Sequence, residues 1–150
     1  MKKIVLLFIV TLCSVYSFGQ ESSLEKFADM DGVKSVYISK AMLSLMPGLE
    51  VQGVDIGSTA TKLDNIQILS TEKSDIREKM SKEVKTLVNK GKVEELMRVK
   101  EDDENVFIYM KDLGEKKSEF ILFNDDKDEL TVIIITGTLT LNDIQKIVND

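Results

Sequence analysis

The chain has 150 residues, with 20 basic against 26 acidic for a net charge of −6, no His, no Trp and one Cys, Cys13. With no imidazole, and with its only thiol in an N-terminal segment expected to be removed, the chain excludes Ser-His-Asp and Cys-His catalysis, imidazole pH switches, Cys/His zinc sites and disulfides. Its acidic balance argues against nucleic acid and anionic lipid surfaces as partners.

Lys2 and Lys3, the apolar run from Ile4 to Leu12, and the small residues Ser17 and Gly19 form the three-part pattern of a secretory signal peptide. Cleavage is expected after Gly19, leaving Gln20 as the new terminus. Loss of 19 residues, Lys2 and Lys3 among them, leaves 131 residues with a net charge of −8. The uncharged stretch Ile4 to Gly19 is 16 residues long, short of the roughly 20 that a membrane span needs. An uncleaved anchor is therefore the weaker reading. A lipoprotein cut at Cys13 would follow Thr11-Leu12 rather than small residues. Residues 20–150 are expected to form a single domain with an ordinary apolar core and no stable membrane span.

Residues 23–29 predict a short helix with Leu24, Phe27 and Ala28 on one face. Asp31-Gly32 marks a turn. Val33 to Ile38 alternates as a strand, with Val36 and Ile38 on one side and Val33, Ser35 and Tyr37 on the other. Ser39 can cap a helix that runs to Met46 and stops before Pro47-Gly48. Residues 48–62 follow no period, broken by Gly48, Gly53 and Gly57. Leu63 to Leu69 alternates again. Ile76, Met80, Val84, Leu87 and Val88 then fall on one stripe of a helix over 72–90. Thr71 is its expected N-cap and Gly91 its left-handed C-terminal cap.

From residue 93 the period is two. Strands are predicted over 95–100, 105–111, 118–124 and 129–136, joined by short polar links that imply antiparallel hairpins. Val132 to Ile135 is apolar on both faces and belongs at the centre of the sheet, with Gly137 breaking that strand. Thr140 caps a closing helix over 140–148, with Asp143 in its first turn and Leu141, Ile144, Ile147 and Val148 facing inward. The order α-β-α-β-α-β-β-β-β-α predicts an α+β fold, a mostly antiparallel sheet of about six strands with helices on one face.

Four segments carry a resemblance: VYISKAM (Val36 to Met42), IQILSTEKSDI (Ile66 to Ile76), VEELMRVK (Val93 to Lys100) and VIIITGTLTLNDIQKI (Val132 to Ile147). Over the whole mature chain the sequence resembles a Bacteroidetes family of small exported proteins, known only as a domain of unknown function. That family often has an aromatic residue where this chain has Val93. The resemblance implies a bacterial cell envelope and a cleaved signal. It brings no catalytic residue and no cofactor.

The residues themselves offer no catalytic constellation. The run Asn124 to Glu129 lacks the spacing of a calcium loop, which needs Gly at its sixth position and Glu at its twelfth. A solvated hairpin turn is the plainer reading, as it is for Asp102-Asp103-Glu104. The segment Gly53 to Thr59 lacks the Lys of a phosphate loop. A mobile surface loop is favoured, and Gly48, Gly53 and Gly57 mark the candidate interaction loop. Most of the six aromatic residues of the mature chain fall in strand patterns, where a core role is expected. Met42, Met46, Met80, Met97 and Met110 read as core fillers, or less plainly as a lipid groove.

The expected function is that of an exported, non-catalytic envelope module, with no cofactor, no metal and a possible envelope protein as partner. The periplasm is favoured over secretion. The alternative is a carrier of a small apolar ligand, which an apolar cavity of several hundred Å³ would support. A hydrolase built on carboxylates comes third.

Overall fold

The computed structural model describes residues 24–45, 50–51, 54–55 and 59–149. The expected signal peptide with its Gly19–Gln20 cut, the helix stop at Met46, Pro47 and Gly48, and the loop glycines Gly53 and Gly57 all lie outside the described residues.

Six strands form one antiparallel sheet. They are β1 (Lys34–Ser39), β4 (Leu63–Thr71), β5 (Glu94–Lys100), β6 (Glu104–Gly114), β7 (Lys117–Asp126) and β8 (Leu130–Gly137). Between β1 and β4 come helix α1 (Lys40–Leu45), a two-stranded hairpin of β2 (Glu50–Val51) and β3 (Val54–Asp55), and a 3-10 turn at Ala60–Lys62. Helix α2 (Ser74–Asn89) links β4 to β5, and α3 (Leu141–Asn149) closes the chain. The spatial order is β1-β4-β8-β7-β6-β5. Strands β5 to β8 form the expected meander, and β4 and β8 lie inside the sheet.

The fold is α+β, as the periodicity predicts. The helices, however, cover both faces rather than one. On one face Ile76, Met80 and Val84 of α2 pack with Leu69, Ile121, Leu130, Val132 and Ile134. On the other, Leu43 of α1 and Ile144 of α3 pack with Leu63, Ile66, Phe120 and Ile135. The cause is in β8: Val132 and Ile134 point to one face and Ile133 and Ile135 to the other, so each face needs apolar cover.

The segment expected to be helical over 23–29 is a single 3-10 turn, Glu25–Phe27. Helices this short gain little alone, and packing decides their form. Leu24 and Phe27 are buried in the α2-side core, and Phe27 N–H donates to the Leu24 carbonyl at 3.1 Å.

Most of the expected boundary devices are present. Ser39 Oγ accepts from Met42 N–H at 3.4 Å. Lys92 N–H donates to the Leu87 carbonyl and Gly91 N–H to that of Val88, both at 3.0 Å, with Gly91 at φ +63°. This is a Schellman end to α2. Thr71 is not the N-cap of α2. It closes β4, accepting from Lys73 N–H at 3.2 Å and donating its hydroxyl to the Gly32 carbonyl at 2.8 Å. That bond ties the Asp31-Gly32 turn to the sheet.

Thr140 caps α3. Asp143 N–H donates to Thr140 Oγ1 at 3.3 Å, and Thr140 N–H donates back to Asp143 Oδ2 at 2.8 Å. This reciprocal box satisfies two donors at the helix start. Leu141, expected inward, is exposed, while Ile147 and Val148 lie outside the described side chains. Gly137 does not break β8; it pairs with Leu63 and Ser118. A Cβ there would collide with the Lys62 carbonyl, so a glycine is needed for that close approach.

Candidate functional site

Helix α2 covers the middle of its face and stops at Asn89. Only residues 90–93 separate it from β5, the outer strand of the sheet. Beyond the helix, no second helix among the described residues lies over the β5–β6 end of the sheet. The gap is a cleft of about 450 Å³. Its helical wall is Val84, Lys85 and Val88, and its floor is Phe107, Tyr109 and Phe123.

The floor follows from the register. Tyr109 pairs with Ile121 and Phe107 with Phe123, which puts alternate residues of β6 on the α2 face. The Phe107 and Tyr109 rings stack at 6.0 Å and 7°, and Phe123 meets Phe107 edge-on at 6.0 Å. Tyr109 and Phe123 are buried, while Phe107 is half-buried and open to the cleft. The expected core role of the aromatic residues thus holds for Phe27, Tyr109, Phe120 and Phe123. Phe107 takes a second role as cleft floor, and Tyr37 is 62% exposed.

The charged rim depends on a β-bulge. The register of β5 on β6 shifts between Glu95 and Met97, so that Glu95 faces Tyr109 and Arg98 faces Phe107. In a regular strand, residues three apart point to opposite faces. The extra residue brings Glu95 and Arg98 to the same side. Arg98 Nε and Nη2 donate to the two Glu95 oxygens at 3.0 and 2.7 Å. The guanidinium lies 5.7 Å from the centroid of Phe107. Burial pushes the Tyr109 phenol above its usual range; Glu95 adds to this and Arg98 opposes it. The phenol therefore stays neutral around pH 7 and can donate.

The remaining charges divide clearly. Asp125 is held by Arg77 at 2.8 Å, and Arg77 also donates to the carbonyls of Asp126 and Lys127. This clasp ties α2 to the β7–β8 turn. Lys85 and Lys100 line the cleft and have no ion-pair partner among the described residues.

The acidic runs are turns, as expected. Asp126 N–H donates to the Glu129 carbonyl at 3.0 Å, and Lys127 N–H donates to that of Asp103 at 2.9 Å. The two turns thus meet at one end of the sheet. Among the described residues, no group of three or more Asp, Glu, His or Cys is placed to hold a metal ion. No described helix is long and apolar enough to cross a membrane. Among the described residues three carboxyls have shifted ionisation, and all lie outside the cleft lining. Lys117 and Lys40 hold Asp64 low. Lys62 and the Thr140 cap hold Asp143 well below the carboxylate range. Burial holds Glu119 high.

The candidate loop glycines Gly48, Gly53 and Gly57 lie outside the described residues. The cleft residues were not singled out as a site by their sequence pattern. The aromatic alternation of β6 was visible, but a bulge leaves no clear mark in the sequence. Two methionines expected in the core, Met42 and Met97, are exposed, whereas Met80 is fully buried.

No curated protein and no solved structure is detectably similar to this chain. The model of a domain of unknown function, DUF4252, matches residues 26–147, from the first 3-10 turn into α3, and the chain belongs to that family.

Proposed function

We propose that this protein is an exported, non-catalytic module of the cell envelope that works by binding, and that its site is the aromatic cleft beside α2. The N-terminal pattern of Lys2-Lys3, Ile4 to Leu12 and Ser17 to Gly19 supports export. The observation that carries the binding role is the cleft itself. Its volume of about 450 Å³ falls in the range of small-molecule sites. A half-open Phe107, stacked on Tyr109 and roofed by Arg98, offers an apolar surface with polar groups at its rim. This favours a small ligand with an apolar body, the carrier reading, over catalysis.

Native mass spectrometry of the protein purified from its own envelope tests the proposal. A small-molecule adduct on the wild type that is lost in Phe107→Ala is the expected result. A chain that carries no adduct and binds none from an envelope lipid extract contradicts it.

A second reading is favoured by the opposite face. There Val36, Ile68, Ile133, Leu122, Ile108 and Met97 form one apolar row across all six strands. Its two ends, Val36 and Met97, are exposed. An extended segment of an envelope protein would pair with the outer edge of β5, which no described strand takes, beside Met97 and Val99. Crosslinking from position 97 in intact cells would yield a protein adduct under this reading and none if the ligand cleft acts alone.

A further inference from the structure

We infer that the ligand of the cleft is a single anionic amphiphile, an apolar chain or flat ring system ending in a carboxylate or phosphate. This rests on the reading of the cleft as a small-ligand site and adds its charge. The rings of Phe107, Tyr109 and Phe123 on the floor, with Val88 on the helical wall, offer apolar surface to the body of such a ligand. The anionic end would be met by Lys85 on α2 and Lys100 at the end of β5. Both line the cleft, and neither is paired among the described residues.

The other cleft charges are already matched: Arg98 with Glu95, and Asp125 with Arg77. Within the cleft lining the two lysines therefore remain as unmatched positive charges, on a chain of net charge −6. A neutral ligand would leave that excess unused, and a cationic one would be repelled by it. The aromatic floor separates this site from an inorganic anion site, because a bare phosphate would leave those rings exposed to water. The source is a free or extracted amphiphile rather than a bilayer surface. A chain this acidic is repelled by an anionic membrane as a whole, and the lysines sit at the rim of a one-molecule cleft.

The test uses three twelve-carbon probes below their micelle concentrations: dodecanoate, dodecanol and dodecylammonium. Binding to the protein, made with its leader in its own host and purified, is measured by calorimetry at two salt concentrations. Dodecanoate is expected to bind about tenfold more tightly than dodecanol, the scale of one charge-assisted contact at a partly exposed site. Its advantage should shrink as salt rises. Lys85→Gln with Lys100→Gln should bring the ratio of dodecanoate to dodecanol affinity down to about one. Both lysines are exposed, and thermal unfolding of the variant checks that its fold is kept.

Equal binding of acid and alcohol by the wild type overturns the anionic class while the cleft reading stands. Binding of none of the three overturns both. Sedimentation with phosphatidylglycerol vesicles, in the absence of binding to free dodecanoate, overturns the free-ligand source.

Discussion

Strands β8 and β5 belong to the same antiparallel meander, yet they meet opposite fates. β8, LTVIIITG, is buried along most of its length, whereas β5, EELMRVK, is exposed at every position but Leu96. β8 has a strand on either side and helices over both faces. Among the described strands β5 has one neighbour, and it lies past the end of α2. Cover, more than alternation, decides what a strand does. Where cover is complete the side chains form a core, and where it stops the same ladder leaves an open surface.

The largest effect that can break this comparison comes from two phenylalanines. Phe120 is fully buried on β7, and Phe120→Ala should cost about 3–5 kcal/mol in urea unfolding. Phe107→Ala, at the half-open cleft floor, should cost roughly 1–2 kcal/mol, because less surface leaves water there. Equal losses would mean that the cleft is closed and packed like the core.

Gly137→Ala comes next. The new methyl meets the Lys62 carbonyl where β8 passes Leu63. A loss of roughly 1–3 kcal/mol is expected from a backbone shift. A neutral result would show that the close approach relaxes without strain.

Asp143→Ala removes the α3 capping box and the 2.7 Å ion pair with Lys62. Its cost near pH 7 should be about 0.5–2 kcal/mol. The pH dependence has a definite sign. Asp143 is held lower in the folded chain than its usual 3.8, so its contribution is present above about that pH. It is lost as pH falls below, through the folded value. The gap between wild type and variant should therefore close on acidification, as followed by thermal unfolding. A gap that widens at low pH would contradict the assignment.

The smallest effect is at the β6–β7 turn. Glu115 and Lys116 have φ +52° and +65°, a conformation that favours glycine and asparagine. Lys116→Gly should raise stability by about 0.5–1 kcal/mol. A destabilised variant would mean that the lysine side chain makes a contact that outweighs the strain.

Much of this architecture could be read from the residues. The 3.6-residue stripe from Ile76 to Val88 gives α2, Gly91 gives its end, and Thr140 with Asp143 gives the start of α3. The two-residue period after Val93 gives the meander. The second covered face was latent in Val132 to Ile135, whose double-sided apolarity demands helices above and below. The cleft was not legible. Alternation tells which residues share a face, but not whether a helix reaches far enough to cover them. Nor does it show the bulge that sets Arg98 beside Glu95 over Phe107. The exposure of Met42, Met97 and Tyr37 escapes the pattern for the same reason.

The central claim is that the uncovered floor beside α2 is a binding surface. Nuclear magnetic resonance of the aromatic and methyl groups during addition of dodecanoate tests it most directly. The account predicts saturable shifts at Phe107, Tyr109, Val84 and Val88, with Phe120 and Ile135 on the opposite face unmoved. Shifts confined to that opposite face, or no saturable shift at all, would contradict it.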